Sequence, residues 1–326
     1  HVIGTSVEPN EEYFKAGYQN YLDSYDFHIY ERYTDVRRTM QAYRELMRKY
    51  NAVKPLHSTE LGLNSQGQTR RDVAMSMIKK FTVFFAEGGA TVSWFTIQYP
   101  DPQGKARGQF GDAHCIFDCK YNLYNPRLDA ITHYYMLNGI CDKQFVEEEH
   151  YPDGEQAYLF RDDRGGCLQV LWLDDQRRDA CVPISSGRQV ELIRLDGQRT
   201  RLESQAEGVA VTLSEEPALL LYQDDRQGLA PSMKQASVRL KAPPAEVAPG
   251  DSTSFVLEGA GLDTASLQVT APPFWKTSLE KAGESLVQVT LTAPAATSAR
   301  QARVYVQPLR NGKPTGELSI SVRVTR

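Results

Sequence analysis

The sequence is poor in the residues that would make it a metal centre, a disulfide scaffold, a membrane protein or a nucleic-acid binder. Its 326 residues include six histidines, widely scattered, and five cysteines. Metal-dependent hydrolysis needs clustered His, Asp or Cys ligands, and only Asp112-Ala113-His114-Cys115-Ile116-Phe117-Asp118-Cys119 brings such residues together. Its Cys-x3-Cys spacing has no second pair elsewhere, so neither a metal nor a cofactor is expected. The odd cysteine count leaves at least one thiol free unless it pairs outside the chain. Whether Cys115 and Cys119 are bonded is a matter of geometry that spacing does not decide, and the redox compartment stays open. No apolar run approaches the roughly 18 residues of a membrane span. A formal net charge of −4 supplies no basic surface for nucleic acid. With 41% hydrophobic and 24% charged residues the composition is that of an ordinary globular protein.

What the sequence does have is a repeat. Asp26-Phe27-His28-Ile29-Tyr30, Leu56-His57-Ser58-Thr59-Glu60-Leu61-Gly62 and Ala90-Thr91-Val92-Ser93-Trp94-Phe95 each read as a strand ending in a polar or aromatic side chain, at intervals of 32 to 34 residues. That is the length of one strand and one crossover helix. Between them, Val36, Met40, Tyr43, Met47 and Tyr50 make a helical stripe within Thr34 to Asn51, and Val73, Met77, Phe81 and Phe84 another within Thr69 to Glu87, stopped by Gly88-Gly89. Two more helices are expected, from Glu11 to Asp23 and, after Pro126, from Arg127 to Asn138. With Val2-Ile3-Gly4-Thr5-Ser6-Val7 as a first strand, the order is β-α four times within residues 1–139, which predicts a parallel sheet. Four units are half of a (β/α)8 barrel. An open half would leave bare edges and an uncovered interior, so the chain is expected to need an N-terminal barrel half, in the same or another chain.

After Asn138 the helical period gives way to short alternating segments. Residues 140–224 predict an antiparallel β-sandwich, Asp224 to Gln235 a linker, and residues 236–326 an immunoglobulin-like β-module. Neither β-segment shows a catalytic constellation. The expected fold class is therefore α/β plus all-β: strands five to eight of a barrel, then two β-domains.

The order and spacing of Asp26-Phe27-His28-Ile29-Tyr30, Ser58-Thr59-Glu60-Leu61-Gly62 and Trp94-Phe95 resemble strands six, seven and eight of the clan A glycoside hydrolases. Within that clan the chain is most similar to family 39, whose relatives include β-xylosidases, α-iduronidases and exopolysaccharide hydrolases. The resemblance covers roughly residues 1 to 223, with Gly4-Thr5-Ser6 as strand five and Tyr124-Asn125-Pro126-Arg127-Leu128-Asp129-Ala130 opening the last helix. It implies a retaining glycosidase acting on a poly- or oligosaccharide, with Glu60 as the catalytic nucleophile that attacks the anomeric carbon. Tyr30 would donate a hydrogen bond to it, His28 would line the sugar site, and Trp94 would offer a flat platform to a pyranose. The family's acid/base glutamate closes an Asn-Glu pair on strand four, ahead of this chain. Glu8, in Val7-Glu8-Pro9-Asn10, is too close to His28 in sequence to be that residue and better suits a helix entry.

Two readings follow: a glycosidase completed by the missing half, or a non-catalytic carbohydrate-binding or structural protein on a degenerate or truncated scaffold. The long connection from Tyr99 to Asn125, with Tyr33, Tyr99, Phe110 and Tyr121, either shapes a substrate groove or packs against the β-domain. By analogy of fold the protein is expected to be secreted or periplasmic.

Overall fold

Helix and strand alternate at the N-terminus because the apolar residues switch between periods of two and 3.6. The structure, a computed structural model, describes residues 1–63, 67–97, 114–118, 125–224 and 228–325. Tyr99, Phe110, Cys119 and Tyr121 lie outside the described residues, as does most of the connection that holds them. Strands β1 (Tyr25–Ile29), β2 (Leu56–Gly62) and β3 (Thr91–Phe95) form a parallel sheet in that order. Ahead of β1, Ile3 bridges Ser24 in parallel, so the first expected strand survives as a single bridge.

Helices α1 (Glu11–Lys15), α2 (Tyr33–Lys49), α3 (Arg70–Ala86) and α4 (Leu128–Ile140) occupy the connections. The first is shorter than its sequence suggested. Gly17 adopts a left-handed φ of +81°, and only a 3-10 turn, Tyr18–Tyr21, follows it. α3 starts on a reciprocal cap: the Asp72 N–H donates to Thr69 Oγ1 at 3.1 Å, and the Thr69 N–H donates to Asp72 Oδ2 at 2.9 Å.

The pleat sorts β1 into two faces. Tyr25, Phe27 and Ile29 are buried against the helices, with Tyr25 5.5 Å from the Tyr43 ring and Phe27 6.2 Å from Phe84. Burial of each such ring stabilises the fold by roughly 1.5–3 kcal/mol. Asp26, His28 and Tyr30 are left on the opposite face of the sheet.

Behind the helices lie three β-layers. Strands β4 (Gln144–His150), β5 (Gln156–Arg161), β6 (Gly166–Trp172), β7 (Arg178–Val182), β8 (Gln189–Ile193), β9 (Arg199–Glu203), β10 (Val209–Leu213) and β11 (Ala218–Gln223) come first. After β12 (Lys234–Gln235) come β13 (Arg239–Ala242), β14 (Ser252–Glu258), β15 (Leu267–Thr270), β16 (Lys276–Gly283), β17 (Leu286–Thr292), β18 (Gln301–Arg310), β19 (Lys313–Pro314) and β20 (Gly316–Arg323). The sheets run β4-β5-β6-β11-β8-β9, then β12-β7-β10-β20-β18-β15 with β19 on β18, then β13-β14-β17-β16.

The middle sheet crosses from the first β-stretch to the second: β10 pairs in parallel with β20, Ala210 opposite Gly316 and Val211 opposite Glu317. One core lies between the first two sheets and includes Leu171, Val182, Leu192 and Val211. Another lies between the last two and includes Phe255, Val289, Val304 and Ile320. Glu317, 3% exposed, ties the stretches together, accepting from Arg194 at 2.7 and 2.6 Å, Thr200 at 2.8 Å and Gln307 at 2.8 Å.

The first β-sheet also packs on the helices. Tyr158 stacks on Trp172 at 4.9 Å, Lys79 donates to Asp174 at 2.6 Å, and the Tyr33 hydroxyl donates to the same carboxylate at 2.5 Å. Tyr33, a candidate groove residue, is thereby engaged in the contact between α2 and the β-layer.

Candidate active site

Three of the four predicted site residues meet at the C-terminal end of the parallel sheet. His28 of β1 is in register with Glu60 of β2, so the two side chains stand side by side on one face. The Tyr30 hydroxyl, just beyond the end of β1, donates to Glu60 Oε2 at 2.6 Å, and His28 Nδ1 lies 3.2 Å from the same oxygen. The Glu60 side chain is 35% exposed and that of His28 30%, so the carboxylate is held yet open to solvent.

Beneath them runs a second set of contacts that the sequence did not announce. Asp26, 3% exposed, accepts the Thr59 N–H at 2.8 Å and the Thr59 hydroxyl at 2.7 Å. Thr59 Oγ1 lies 2.9 Å from His28 Nε2. With the Thr59 proton given to Asp26, Nε2–H is the donor to Thr59. The contacts running from Asp26 through Thr59 to His28 fix the imidazole plane beside Glu60.

Gly62 is part of this construction. A Cβ there would lie 2.8 Å from Tyr30 Cε1 and 3.2 Å from the Phe95 carbonyl oxygen, so the bare backbone is what lets the phenol lie across β2. Phe95 and His114 wall the phenol: their rings stand edge-on to Tyr30 at 5.9 and 6.0 Å. Burial pushes the His114 pKa below the usual imidazole range, favouring the neutral ring. The peptide bond between Phe95 and Thr96 is cis.

Trp94 is not brought to this cluster. It pairs with Leu61 on the other face of the sheet, is 6% exposed, and meets Phe81 of α3 edge-on at 5.9 Å. The aromatic side chain on the Glu60 face is its neighbour Phe95, in register with Gly62. The signal was present in Thr91-Val92-Ser93-Trp94-Phe95: polar Thr91 and Ser93 share a pleat with Phe95, which puts Trp94 on the apolar side.

Glu8 is exposed, and no hydrogen bond or ion pair joins it to Glu60 among the described contacts. Among the described residues no group of three or more His, Cys, Asp or Glu side chains is arranged to hold a metal ion. The Asp112 to Cys119 segment is described only from His114 to Asp118. Also among the described residues, no helix is long and apolar enough to cross a membrane.

No family model matches the sequence, and no curated protein matches it. At the level of structure the chain shares the fold of glycoside hydrolases. It is similar to a family 39 glycoside hydrolase from the gut symbiont Bacteroides cellulosilyticus, with 14% identity and a TM-score of 0.50 over 68% of this chain and 49% of that one. Looser matches are a glucosidase from Croceicoccus marinus (13% identity, TM-score 0.48, 68% of this chain and 60% of that one) and a β-porphyranase of family 86 from Bacteroides plebeius (13%, 0.46, 96% and 65%). The chain thus spans about half the length of the family 39 structure it matches.

Proposed function

We propose that this chain is the C-terminal part of a retaining glycoside hydrolase acting on a poly- or oligosaccharide, with Glu60 as its nucleophile. The observation that carries the reading is the Glu60 carboxylate at the end of a parallel strand, with the Tyr30 hydroxyl donating to one oxygen at 2.6 Å and the His28 ring beside it, Nδ1 3.2 Å away. A donor on one oxygen holds the carboxylate in a single orientation and leaves the other oxygen to approach an anomeric carbon. The glycosyl-enzyme ester formed by that attack is then hydrolysed by water. Phe95 and Tyr30 would border the sugar ring in the role first assigned to Trp94.

In the same reading Ile3, β1, β2 and β3 are strands five to eight of a (β/α)8 barrel, and the last β-stretch is an immunoglobulin-like module. The half-exposed polar face of the sheet supports this, because a barrel interior is covered only when eight strands close around it. The proton donor then belongs to the other half, about 5 to 5.5 Å from the nucleophile. A polysaccharide substrate places the protein outside the cytoplasm, secreted or periplasmic.

One observation favours a non-catalytic, carbohydrate-binding scaffold as the second reading. Asp26, which shares this face with Glu60, is 3% exposed and has both oxygens taken by Thr59, so it is not set to act as the acid. Trapping separates the two. The full-length protein carrying the other strands is incubated with a 2-fluoro glycoside and digested for mass spectrometry. A label on Glu60 is expected. A label on another residue of an active enzyme overturns the nucleophile assignment, and saccharide binding with neither label nor turnover selects the scaffold reading.

A further inference from the structure

We propose that Lys80 is a positioning residue of the site, a buried ammonium that holds the end of β2 so that Tyr30 stays seated on Gly62 and against Glu60. Only the kinetic consequence of this rests on Glu60 being the nucleophile. Lys80 lies in the middle of α3, 0% exposed, on a helix whose other inward residues include Val73, Met77, Phe81 and Phe84. Its Nζ donates to the Gly62 carbonyl. The carboxylates that act on it are Glu31, between β1 and α2, and Asp35, in the first turn of α2. On its own helix Lys79 turns away to Asp174, Glu60 projects from the far face of β2, and β3 carries no charged residue.

Tyr30 is gripped at both ends of this arrangement. Its backbone N–H donates to Glu31 at 3.1 Å, and its ring covers the Gly62 backbone whose carbonyl Lys80 holds. Packing does not require a charge here, since a methionine would fill the same space without the desolvation of an ammonium. What the ammonium adds is a charge-assisted hydrogen bond to the last carbonyl of β2, where the chain leaves the sheet. Burial pushes the Lys80 pKa down to about 7. The strong donor therefore becomes a neutral amine near neutrality, and the seat of the phenol should loosen with it.

The test follows the Tyr30 ring Cζ and Lys80 Cε signals by carbon NMR of the 326-residue chain between about pH 5.5 and 9. It is run in a background carrying both His28→Gln and His114→Gln, so that neither imidazole beside Tyr30 can contribute. Tyr30 is expected to move in one step with a midpoint near 7 that tracks Lys80, and Lys80→Met is expected to abolish the step. Should Lys80→Met not fold, the tracking of the two signals still decides. A Tyr30 signal that ignores the titration of Lys80, or a step that persists in a folded Lys80→Met chain, overturns the proposal. In the full-length protein Lys80→Met is expected to lower kcat about tenfold at unchanged KM. Tracking signals in a protein without turnover would refute the role of Glu60 and leave the positioning intact.

Discussion

Gly62→Ala is the substitution whose consequences are set most tightly by the geometry. The residue does not need a left-handed backbone, so only space matters. The added methyl would lie 2.8 Å from Tyr30 Cε1, 3.0 Å from Cδ1 and 3.2 Å from the Phe95 carbonyl oxygen. The carbonyl belongs to a paired strand and cannot retreat, so the phenol must. Forcing a methyl into a filled space costs about 1–3 kcal/mol, and losing a hydrogen bond to a charged group about 1.5–3 kcal/mol. Because Glu60 is 35% exposed, water replaces much of the second contribution. The expected loss of stability is therefore about 1–2 kcal/mol, read as a lower urea midpoint at constant slope in the 326-residue chain. If Glu60 is the nucleophile proposed above, the displaced hydroxyl should cut the rate of the full-length protein about 10- to 100-fold, equal to about 1.4–2.7 kcal/mol at the transition state. Gly139→Ala is the control: in α4 its methyl would meet only Leu168 at 3.5 Å, an ordinary contact, and should stabilise by about 0.5–1 kcal/mol. A Gly62→Ala chain as stable as the parent, with the Tyr30 ring signals unmoved, would refute the placement of the phenol.

Glu317→Ala should cost about 3–5 kcal/mol, because Arg194, Thr200 and Gln307 are left with buried, unanswered donors. A urea midpoint shift worth less than about 1 kcal/mol would sink the view that this carboxylate joins the two β-stretches. Burial raises Asp129 to about 6 despite Arg70 at 3.2 Å, against an ordinary 3.8. The folded state then holds more protons between those values, so stability should fall by about 3 kcal/mol as pH rises from about 4 to 6, and Asp129→Asn should flatten that limb. Lys80 acts with the opposite sign: with its pKa lowered from 10.5 to about 7, stability should rise with pH between those values and Lys80→Met should remove the rise. Of Cys141, Cys167 and Cys181, the exposed Cys141 should react first with a disulfide reagent, since burial raises the other two, Cys181 to about 11.

The elements that could be read from the sequence were those in which one periodicity runs uninterrupted. α2 and α3 fall within a residue or two of their expected ends because apolar stripes and caps agree there. Strands β7, β9 and β16 carry no such stripe. β16 is exposed along nearly its whole length, its residues Lys276 to Gly283 carrying a single half-buried leucine. β7 and β9 are five residues each, and arginine takes up one and two of those positions. The continuity of the middle sheet was likewise unreadable, because pairing of β10 with β20 joins residues more than a hundred positions apart and leaves no local mark.

At the site, what sequence spacing supplied was the strand ends, and what it did not supply was the pleat. A parallel sheet orders side chains along the strands by register and across the two faces by parity. His28, Tyr30, Glu60 and Gly62 share the parity that faces away from the helices, and Phe95 joins them through its register with Gly62. Trp94, one residue earlier, has the opposite parity and fills the layer between sheet and α3. A tryptophan next to a rim is the larger ring and so attracts the assignment, yet a single peptide unit carries it to the other side. The same parity explains why glycine stands at position 62. A side chain there would project into the space that Tyr30 must cross to reach Glu60, so the hydrogen bond that defines the site depends as much on the missing Cβ of β2 as on the two groups that make it.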